Sequence, residues 1–193
     1  QTHDPAVRNR LQDAATAAVE AVPTGSLDDA AIGHVRMPVQ SLVFGRVDEA
    51  VAAHAARARR LLENVRPDGT VAYQPGKGGV DYGRTHDTDH ANGLSAKIVA
   101  DALEAARFAG DKKFIDEAVA ALRRLGKTYE NSVPRGAQTW EVPLHTPDIL
   151  ASAHLVRAFT IGYELTGDRE LLDQAVAWAW TGLPFLYLVD PVG

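Results

Sequence analysis

Apolar residues recur at helical spacing in six segments of the chain, and polar or glycine-containing stretches separate these segments. In the first segment, Val7, Leu11 and Ala14 fall on one helical face. Asp4-Pro5 precedes them and supplies a cap followed by proline at the first helical position. The predicted helices cover residues 5–22, 46–64, 90–109, 112–126, 147–165 and 169–181. The pattern therefore predicts an all-α protein.

An internal repeat organises these helices. Three segments are nearly identical, namely DEAVAA at 48–53, DEAVAA at 116–121 and DQAVAW at 173–178. A shift of 57 residues superposes the Gly-Asp pair at 110–111 on the pair at 167–168, where glycine ends one helix and aspartate caps the next. The interval fits a helix pair with a long loop. We therefore expect a single domain over 1–193, built of three stacked helical hairpins. Helices one, three and five form its inner layer, and the other three form an outer layer.

Tight Gly-Asp turns alternate with long irregular loops. Residues 66–90 hold five glycines and two prolines, so this segment is predicted to be a loop that can carry a small β-hairpin. A second long loop covers 127–146. In a stack of equally oriented hairpins all the long loops lie on one face, and loops on a rigid scaffold are where binding and catalysis concentrate.

The composition restricts the possible functions. With 193 residues, 46% of them hydrophobic, the chain can bury one core. Its net charge of −5 argues against nucleic acid as a partner, and no apolar run approaches the roughly 20 residues that span a membrane. The absence of cysteine excludes disulfides and thiolate metal sites. The first residue is Gln1 rather than Met, which a cleaved export signal explains and a sequence that begins partway along the protein explains equally well. We therefore expect a secreted or periplasmic protein, with the cytoplasm as the alternative.

Two polar clusters precede the third and fifth helices, RTHDTDHANG at 84–93 and QTWEVPLHTPD at 138–148. The 57-residue shift places Thr88 opposite His145. Both clusters are therefore predicted to occupy the same position in the repeat, at the end of a long loop that leads into the N-terminus of an inner helix. We expect them to open onto one cleft. The candidate catalytic residues are Glu141, His145, His86 and Asp87. The candidate substrate-binding residues are Trp140, Asp89, His90, Asp148, Tyr82 and Arg84.

Each candidate also has a structural interpretation. Asp89 and Thr146 have the residue types of helix N-caps, and Asp148 at a second helical position would favour the helix dipole. His90 and His154 fall within predicted helices, and His154 is expected to be a hydrogen-bonded core residue. Glu141 is the preferred catalytic carboxylate. The neighbouring Trp140 can both desolvate it and stack on a sugar ring, although packing explains this tryptophan equally well.

A metal site is the less favoured interpretation of the first cluster. His86 and His90 are four residues apart with two carboxylates between them, a spacing that suits one ion on a helix. The helix is expected to begin only at residue 89 or 90, so the two imidazoles would not share a face. We therefore expect no cofactor, with a divalent metal as the alternative. No phosphate-binding loop, dinucleotide fingerprint or nucleophile elbow is present in the sequence.

The segments TGDRELLDQAVAWAW at 166–180 and AGDKKFIDEAVAAL at 109–122, together with the polar loops before inner helices, resemble the α/α-toroid, or six-hairpin glycosidase, superfamily. The resemblance implies a carbohydrate-active enzyme that binds an oligosaccharide or polysaccharide at the mouth formed by the inner-helix N-termini. For a glycoside hydrolase it implies Glu141 or Asp87 as general acid or base.

For a polysaccharide lyase the resemblance implies His145 or His86 as the base, with Tyr82 or Tyr73 as proton donor. A closed toroid has six hairpins and this chain has three. The remaining half would come from further chain or from a homo-oligomer, or the hairpins form an open arc. The competing hypothesis is a non-catalytic helical-repeat scaffold or saccharide-binding module, whose polar loops only cap helices.

Overall fold

The computed structural model describes residues 4–21, 47–76, 80–83 and 87–186, and this part of the chain is all-helical, as the sequence predicts. Its six α-helices are α1 (Pro5–Glu20), α2 (Val47–Glu63), α3 (Asn92–Ala109), α4 (Lys112–Thr128), α5 (Ile149–Thr166) and α6 (Arg169–Gly182), followed by a 3-10 helix (Leu183–Phe185). The described part of the first long loop contains no β-strand, so the expected hairpin is not found there. One isolated antiparallel bridge joins Arg135 and Pro147.

The chain divides into two compact units, 1–56 and 57–193, with the boundary inside α2. In the first unit, α1 begins after Asp4, whose carboxylate accepts a hydrogen bond from the amide of Ala6 at 2.9 Å. Leu11 on this helix is 61% exposed. The candidate site lies entirely in the second unit, and the single domain expected over 1–193 stays a prediction. No described helix combines the length and apolar character needed to cross a membrane.

Helices α3 and α5 supply nine of the 18 residues that form the core of the second unit. Both bury residues on several faces, because alanine, glycine and serine alternate with larger apolar side chains along them. The largest fully buried side chains in this core are Leu103, Leu122, Leu125, Leu155, Phe159 and Leu171. The pattern of burial agrees with the expected inner position of these two helices. The closed toroidal arrangement itself stays a prediction.

The two Gly-Asp turns have the same geometry. Gly110 and Gly167 end α3 and α5 with left-handed φ angles of 66° and 70°, a conformation that favours glycine. Asp111 then caps α4 by accepting a hydrogen bond from the amide of Lys113 at 2.9 Å. Asp168 caps α6 in the same way through the amide of Glu170 at 3.0 Å. The 57-residue repeat is therefore a repeat of structure as well as of sequence.

Helices α3 and α5 lie side by side and run in parallel. Near their C-termini, Arg107 donates a 2.7 Å hydrogen bond to Glu164. Near their N-termini, a Cβ atom on Gly93 would lie 2.5 Å from the Cβ of Ala151, so only glycine permits this approach. The N-termini of both inner helices, and the loops that lead into them, consequently lie at the same end of the unit.

The starts of these two helices differ from the sequence prediction. The N-caps are Ala91 and Asp148, so the assignment of Asp89 and Thr146 as caps is wrong. Likewise, His90 precedes α3 rather than lying inside it. Thr146 is kept out of the helix because proline follows it, and the residue before proline disfavours the α conformation. Polar contacts made by the next few residues, described below, decide where each helix begins.

Candidate functional site

The two predicted polar clusters meet where α3 and α5 begin. Nε2 of His145 donates a hydrogen bond of 2.7 Å to the carbonyl oxygen of Thr88. The amide of Leu144 donates to the carbonyl of Tyr82 at 3.0 Å, which joins the same two loops at a second point. The sequence prediction that Thr88 stands opposite His145 is thus confirmed by direct contact.

A group of three charged or titratable side chains surrounds this junction; we call Asp87, Arg135 and His145 the junction triad. Oδ2 of Asp87 lies 3.7 Å from Nδ1 of His145 and 3.7 Å from Nη1 of Arg135. The side chain of His145 is 13% exposed, whereas half of the Asp87 side chain faces solvent. Both distances exceed hydrogen-bond length, so neither contact is a direct hydrogen bond.

The hydrogen bond to Thr88 fixes the tautomer of His145. A carbonyl oxygen only accepts hydrogen bonds, so Nε2 carries a proton and the lone pair of the neutral ring lies on Nδ1. Within the described residues, Nδ1 of His145 and Nε of Arg135 are buried and lack a hydrogen-bond partner. Buried polar atoms are normally satisfied, so these two nitrogens are available for a hydrogen bond to a ligand or a water molecule.

Asp87 is held in its ionised form. A 2.8 Å hydrogen bond from the amide of Thr88 lowers the pKa of this carboxyl group, and the nearby His145 and Arg135 lower it further. Asp87 is therefore a carboxylate at neutral pH. It can orient an imidazole or accept a proton, but it does not serve readily as a proton donor.

Asp89 has a different partner from its neighbour. Two guanidinium nitrogens of Arg66 donate to its carboxylate at 2.7 and 2.6 Å, and this ion pair lowers the pKa of Asp89. The carbonyl of Asp89 also accepts a 2.7 Å hydrogen bond from the amide of Tyr73. Asp89 thereby anchors the segment before α3 to the start of the first loop. Its predicted role in substrate binding competes with this ion pair.

His90 is tied to the end of α4. Its Nδ1 lies 2.5 Å from the hydroxyl of Tyr129, and the two rings meet edge to face at 5.7 Å. Burial raises the pKa of Tyr129 to about 12, so the phenol is neutral and available as a donor. This contact gives His90 a structural role, and its predicted contact with a substrate stays a prediction.

Buried polar side chains position both loops. The amide group of Asn92 donates to the carbonyl of Val133 at 2.7 Å and accepts from the amide of Arg135 at 2.8 Å. Asp148 caps α5 by accepting from Ala151 at 2.7 Å. Its second oxygen accepts a 2.9 Å hydrogen bond from the amide of Ala137. Both carboxylate oxygens of the buried Asp148 thus bond to backbone amides, and its predicted role in substrate binding stays a prediction.

Trp140 and Glu141 lie in an exposed turn, in which the amides of Glu141 and Val142 donate to the carbonyl of Gln138 at 3.0 and 3.1 Å. Both side chains are exposed, so the expected desolvation of Glu141 by Trp140 is not found. An exposed indole ring remains available for stacking on a sugar.

The remaining candidates are only partly covered by the structure. Tyr82 is half-buried and contributes its carbonyl to the loop junction, and the ring of Tyr73 packs on Gly83 beside it. Arg84 and His86 lie outside the described residues. Within the described residues, no three histidine, aspartate or glutamate side chains are grouped so as to hold a metal ion. The interpretation of His86 and His90 as metal ligands therefore remains untested.

Sequence reasoning missed Arg135, Arg66, Asn92 and Tyr129. One signal was available for the first of these, because Arg135 is the single lysine or arginine between residues 129 and 148. A lone cation in a loop that enters an inner helix merits attention as a binding residue. The partners of the other three are set by loop conformation, which the spacing of residues does not reveal.

Comparisons of the chain with protein-family models, with curated proteins and with solved structures gave no significant match. The resemblance to the α/α-toroid superfamily therefore stays an expectation from the sequence.

Proposed function

We propose that this chain is a carbohydrate-active enzyme, or part of one, that binds a saccharide where the N-termini of α3 and α5 meet. The observation that carries the proposal is the contact of His145 with Thr88. This contact brings two loops that are distant in sequence to one place and assembles the junction triad. The resemblance of the repeat to the α/α-toroid superfamily supports the choice of a saccharide.

The chemistry of the triad favours a polysaccharide lyase over a glycoside hydrolase. In β-elimination, a base removes the proton next to a uronate carboxylate. The electrons form a carbon–carbon double bond, and the neighbouring C–O bond breaks with its electron pair leaving on oxygen. Nδ1 of His145 presents a lone pair for the proton, and Arg135 offers a cation for the substrate carboxylate. Asp87 stabilises the imidazolium that forms.

A glycoside hydrolase would need a protonated carboxyl group as general acid. The environment of Asp87 lowers its pKa, which disfavours this role. Glu141 is the remaining candidate, and it lies on an exposed turn without the apolar surroundings that keep an acid protonated. Hydrolysis is therefore the less favoured chemistry. In either case the exposed ring of Trp140 is suited to stacking on a sugar residue.

A non-catalytic scaffold or saccharide-binding module is the second candidate function. Several polar residues of the two loops serve the fold, since Asp148 caps a helix, Asp89 pairs with Arg66 and His90 bonds to Tyr129. These contacts account for the residues around the triad. They leave the two buried nitrogens of His145 and Arg135 unexplained.

The proposal is tested with a panel of uronate-containing and neutral polysaccharides. Elimination yields an unsaturated uronate that absorbs ultraviolet light, whereas hydrolysis yields new reducing ends without this absorbance. His145→Gln should lower turnover by at least about 100-fold, as expected for loss of a general base, with little change in the melting temperature. His90→Gln is the matched control. It removes a neighbouring imidazole, and it should lower the melting temperature while leaving turnover nearly intact.

Calorimetric titration of the same saccharides separates the candidates further. Binding that depends on His145 and Arg135 without turnover would indicate a binding module. An absence of both binding and turnover with every saccharide would contradict the proposal and leave a scaffold.

A further inference from the structure

An apolar groove runs along the free side of the last hairpin, between α5 and α6. It has a volume of about 370 Å3. The apolar residues that line it are Ile149, Ala153, Val156, Ala179, Leu183 and Leu186. No other described element occupies it, and the last three of these residues are exposed. A patch of this kind on a water-exposed surface marks an interaction site.

The repeat shows what covers the equivalent groove one hairpin earlier. Between α3 and α4 the groove is filled by helix α5. The side chain of Leu122 lies against Gly162, and a Cβ atom on this glycine would be 2.5 Å from it. The ring of Phe159 reaches Gly126, where a Cβ atom would lie 3.1 Å from it. An inner helix of the next hairpin is thus the natural occupant of such a groove.

Residues of the second hairpin are buried where the equivalent residues of the third hairpin, 57 positions later, are exposed. Val119 on α4 is 7% exposed, whereas Val176, 57 residues later, is 49% exposed. Tyr129 is 4% exposed, whereas Leu186 at the equivalent position is 50% exposed. The last hairpin therefore keeps the apolar character of a stacked face without a stacked neighbour in the described structure.

Helix α1 has the properties of the missing occupant. Along the chain it precedes α2, as α3 precedes α4 and α5 precedes α6, so the sequence repeat predicts it to be an inner helix. It is 16 residues long, against 18 for α5, so the two span similar lengths. Its apolar stripe contains Val7, Leu11 and Ala14, and Leu11 is 61% exposed. We propose that α1 of a second copy of this chain packs into the groove between α5 and α6.

This contact is heterologous, because it joins two different surfaces of the same protein. Such contacts close into a ring when the rotation between copies allows it and otherwise extend into a filament. In this head-to-tail contact, α1 of the second copy lies against α5 and α6 of the first in the way that α5 lies against α3 and α4 within one chain.

The absence of native cysteine allows a direct test by disulfide trapping. Leu11→Cys and Leu183→Cys are prepared as separate single-cysteine proteins, with one chain extended by a tag that changes its mass. When they are mixed and oxidised, the expected product is a mixed dimer of tagged and untagged chains. Lys113→Cys is the control for Leu183→Cys, because its side chain is 77% exposed on another helix and should not trap Leu11→Cys.

Two further measurements make the proposal falsifiable. Leu11→Glu should weaken association in sedimentation by at least about tenfold without lowering the melting temperature, because the side chain is exposed in one chain. Faster trapping of Leu183→Cys with itself than with Leu11→Cys would indicate face-to-face packing and overturn the proposal. A chain that remains monomeric at every concentration, with no mixed dimer, would overturn it as well.

Discussion

The carbonyl oxygen of Thr88 accepts a hydrogen bond from His145, and the two residues are 57 positions apart, the interval of the internal repeat. Arg107 and Glu164 are separated by the same interval and form an ion pair at the opposite end of α3 and α5. Equivalent positions of successive hairpins therefore lie side by side, as stacked repeats require. This relationship connects the sequence repeat to the assembly of the site.

The two aspartates before α3 should differ in function. Asp87→Asn removes the charge that faces His145 and Arg135, and we expect saccharide binding to fall by about tenfold or more. Asp89→Asn is the matched control, since it removes a charge from the same segment that faces Arg66 instead. It should change binding by less than about twofold. Calorimetric titration measures both, with urea unfolding to establish that each variant is folded.

Equal losses of binding in the two variants would contradict the assignment. The segment would then act through its conformation, and the specific position of Asp87 would carry no function.

The charge cluster between α3 and α5 should dominate stability in acid. Asp101 is buried and receives hydrogen bonds from Lys97 and Arg157 at 3.0 and 2.8 Å. Burial alone would raise the pKa of Asp101, but these cations hold it below its usual value. Its contribution is therefore complete above the unfolded pKa of about 3.9 and is lost as the pH falls through the lower folded pKa.

Asp101→Asn should lower the free energy of unfolding at neutral pH by about 3 kcal/mol, because it breaks a buried ion pair. Arg157 keeps its hydrogen bond to Glu104. The expected loss of free energy of unfolding is therefore at the lower end of the range known for broken buried ion pairs. The variant should also lose part of the acid dependence below pH 4 or so. Urea unfolding at several pH values measures both effects. Asp116→Asn, in an exposed pair with Lys112, is the control and should cost under about 0.5 kcal/mol.

Tyr129 should contribute to stability in alkali. Its folded pKa of about 12 exceeds the ordinary value of 10.0, so folding favours the neutral phenol. The contribution is complete below pH 10 and is lost as the pH rises to about 12. Tyr129→Phe should reduce this loss of stability in alkali. It should also lower the free energy of unfolding by about 1–2 kcal/mol, because His90 loses its hydrogen-bond partner. Urea unfolding of this variant and of the unaltered protein at several alkaline pH values measures both effects.

Gly93 should be intolerant of alanine. A Cβ atom there would lie 2.5 Å from that of Ala151 and 2.8 Å from the carbonyl oxygen of Arg135. Gly93→Ala should therefore cost about 1–3 kcal/mol by overpacking, although alanine ordinarily favours a helix over glycine. Gly110→Ala meets no atom within 4 Å and should cost only the strain of its left-handed backbone, about 1 kcal/mol.

Chemical denaturation compares these two variants, and a second substitution tests the mechanism of the first. Ala151→Gly removes the clashing methyl group, so it should restore part of the stability lost in Gly93→Ala. A double variant no more stable than Gly93→Ala alone would show that the contact with Ala151 does not limit the approach of the helices.

The fold was largely predictable because its signals are local. The Gly-Asp turns need a residue that tolerates positive φ and a side chain that accepts from helix amides, and both requirements are visible at 110–111 and 167–168. The burial of α3 and α5 follows from their apolar character on most faces. The bounds of these helices were less predictable, because contacts of Asn92 and Asp148 with a distant loop decide where they begin.

The site was predictable only in outline. The repeat places Thr88 opposite His145, and the structure brings them into contact. The repeat does not specify that Arg135 lies near Asp87, or that Arg66 forms an ion pair with Asp89. Those pairings depend on the path of two irregular loops, and no periodicity in the sequence encodes that path. The exposed position of Glu141 was missed for the same reason.

The carboxamide of Asn92 joins the first turn of α3 to the loop before α5 through the amide of Arg135, and the carbonyl of Arg135 accepts in return from the amide of Gly93 at 2.9 Å. These hydrogen bonds couple the two loops that lead into α3 and α5. We therefore expect a ligand that immobilises one of these loops to slow amide hydrogen exchange in both. Hydrogen exchange in the loop that the ligand does not touch would then report binding, whatever the identity of the ligand.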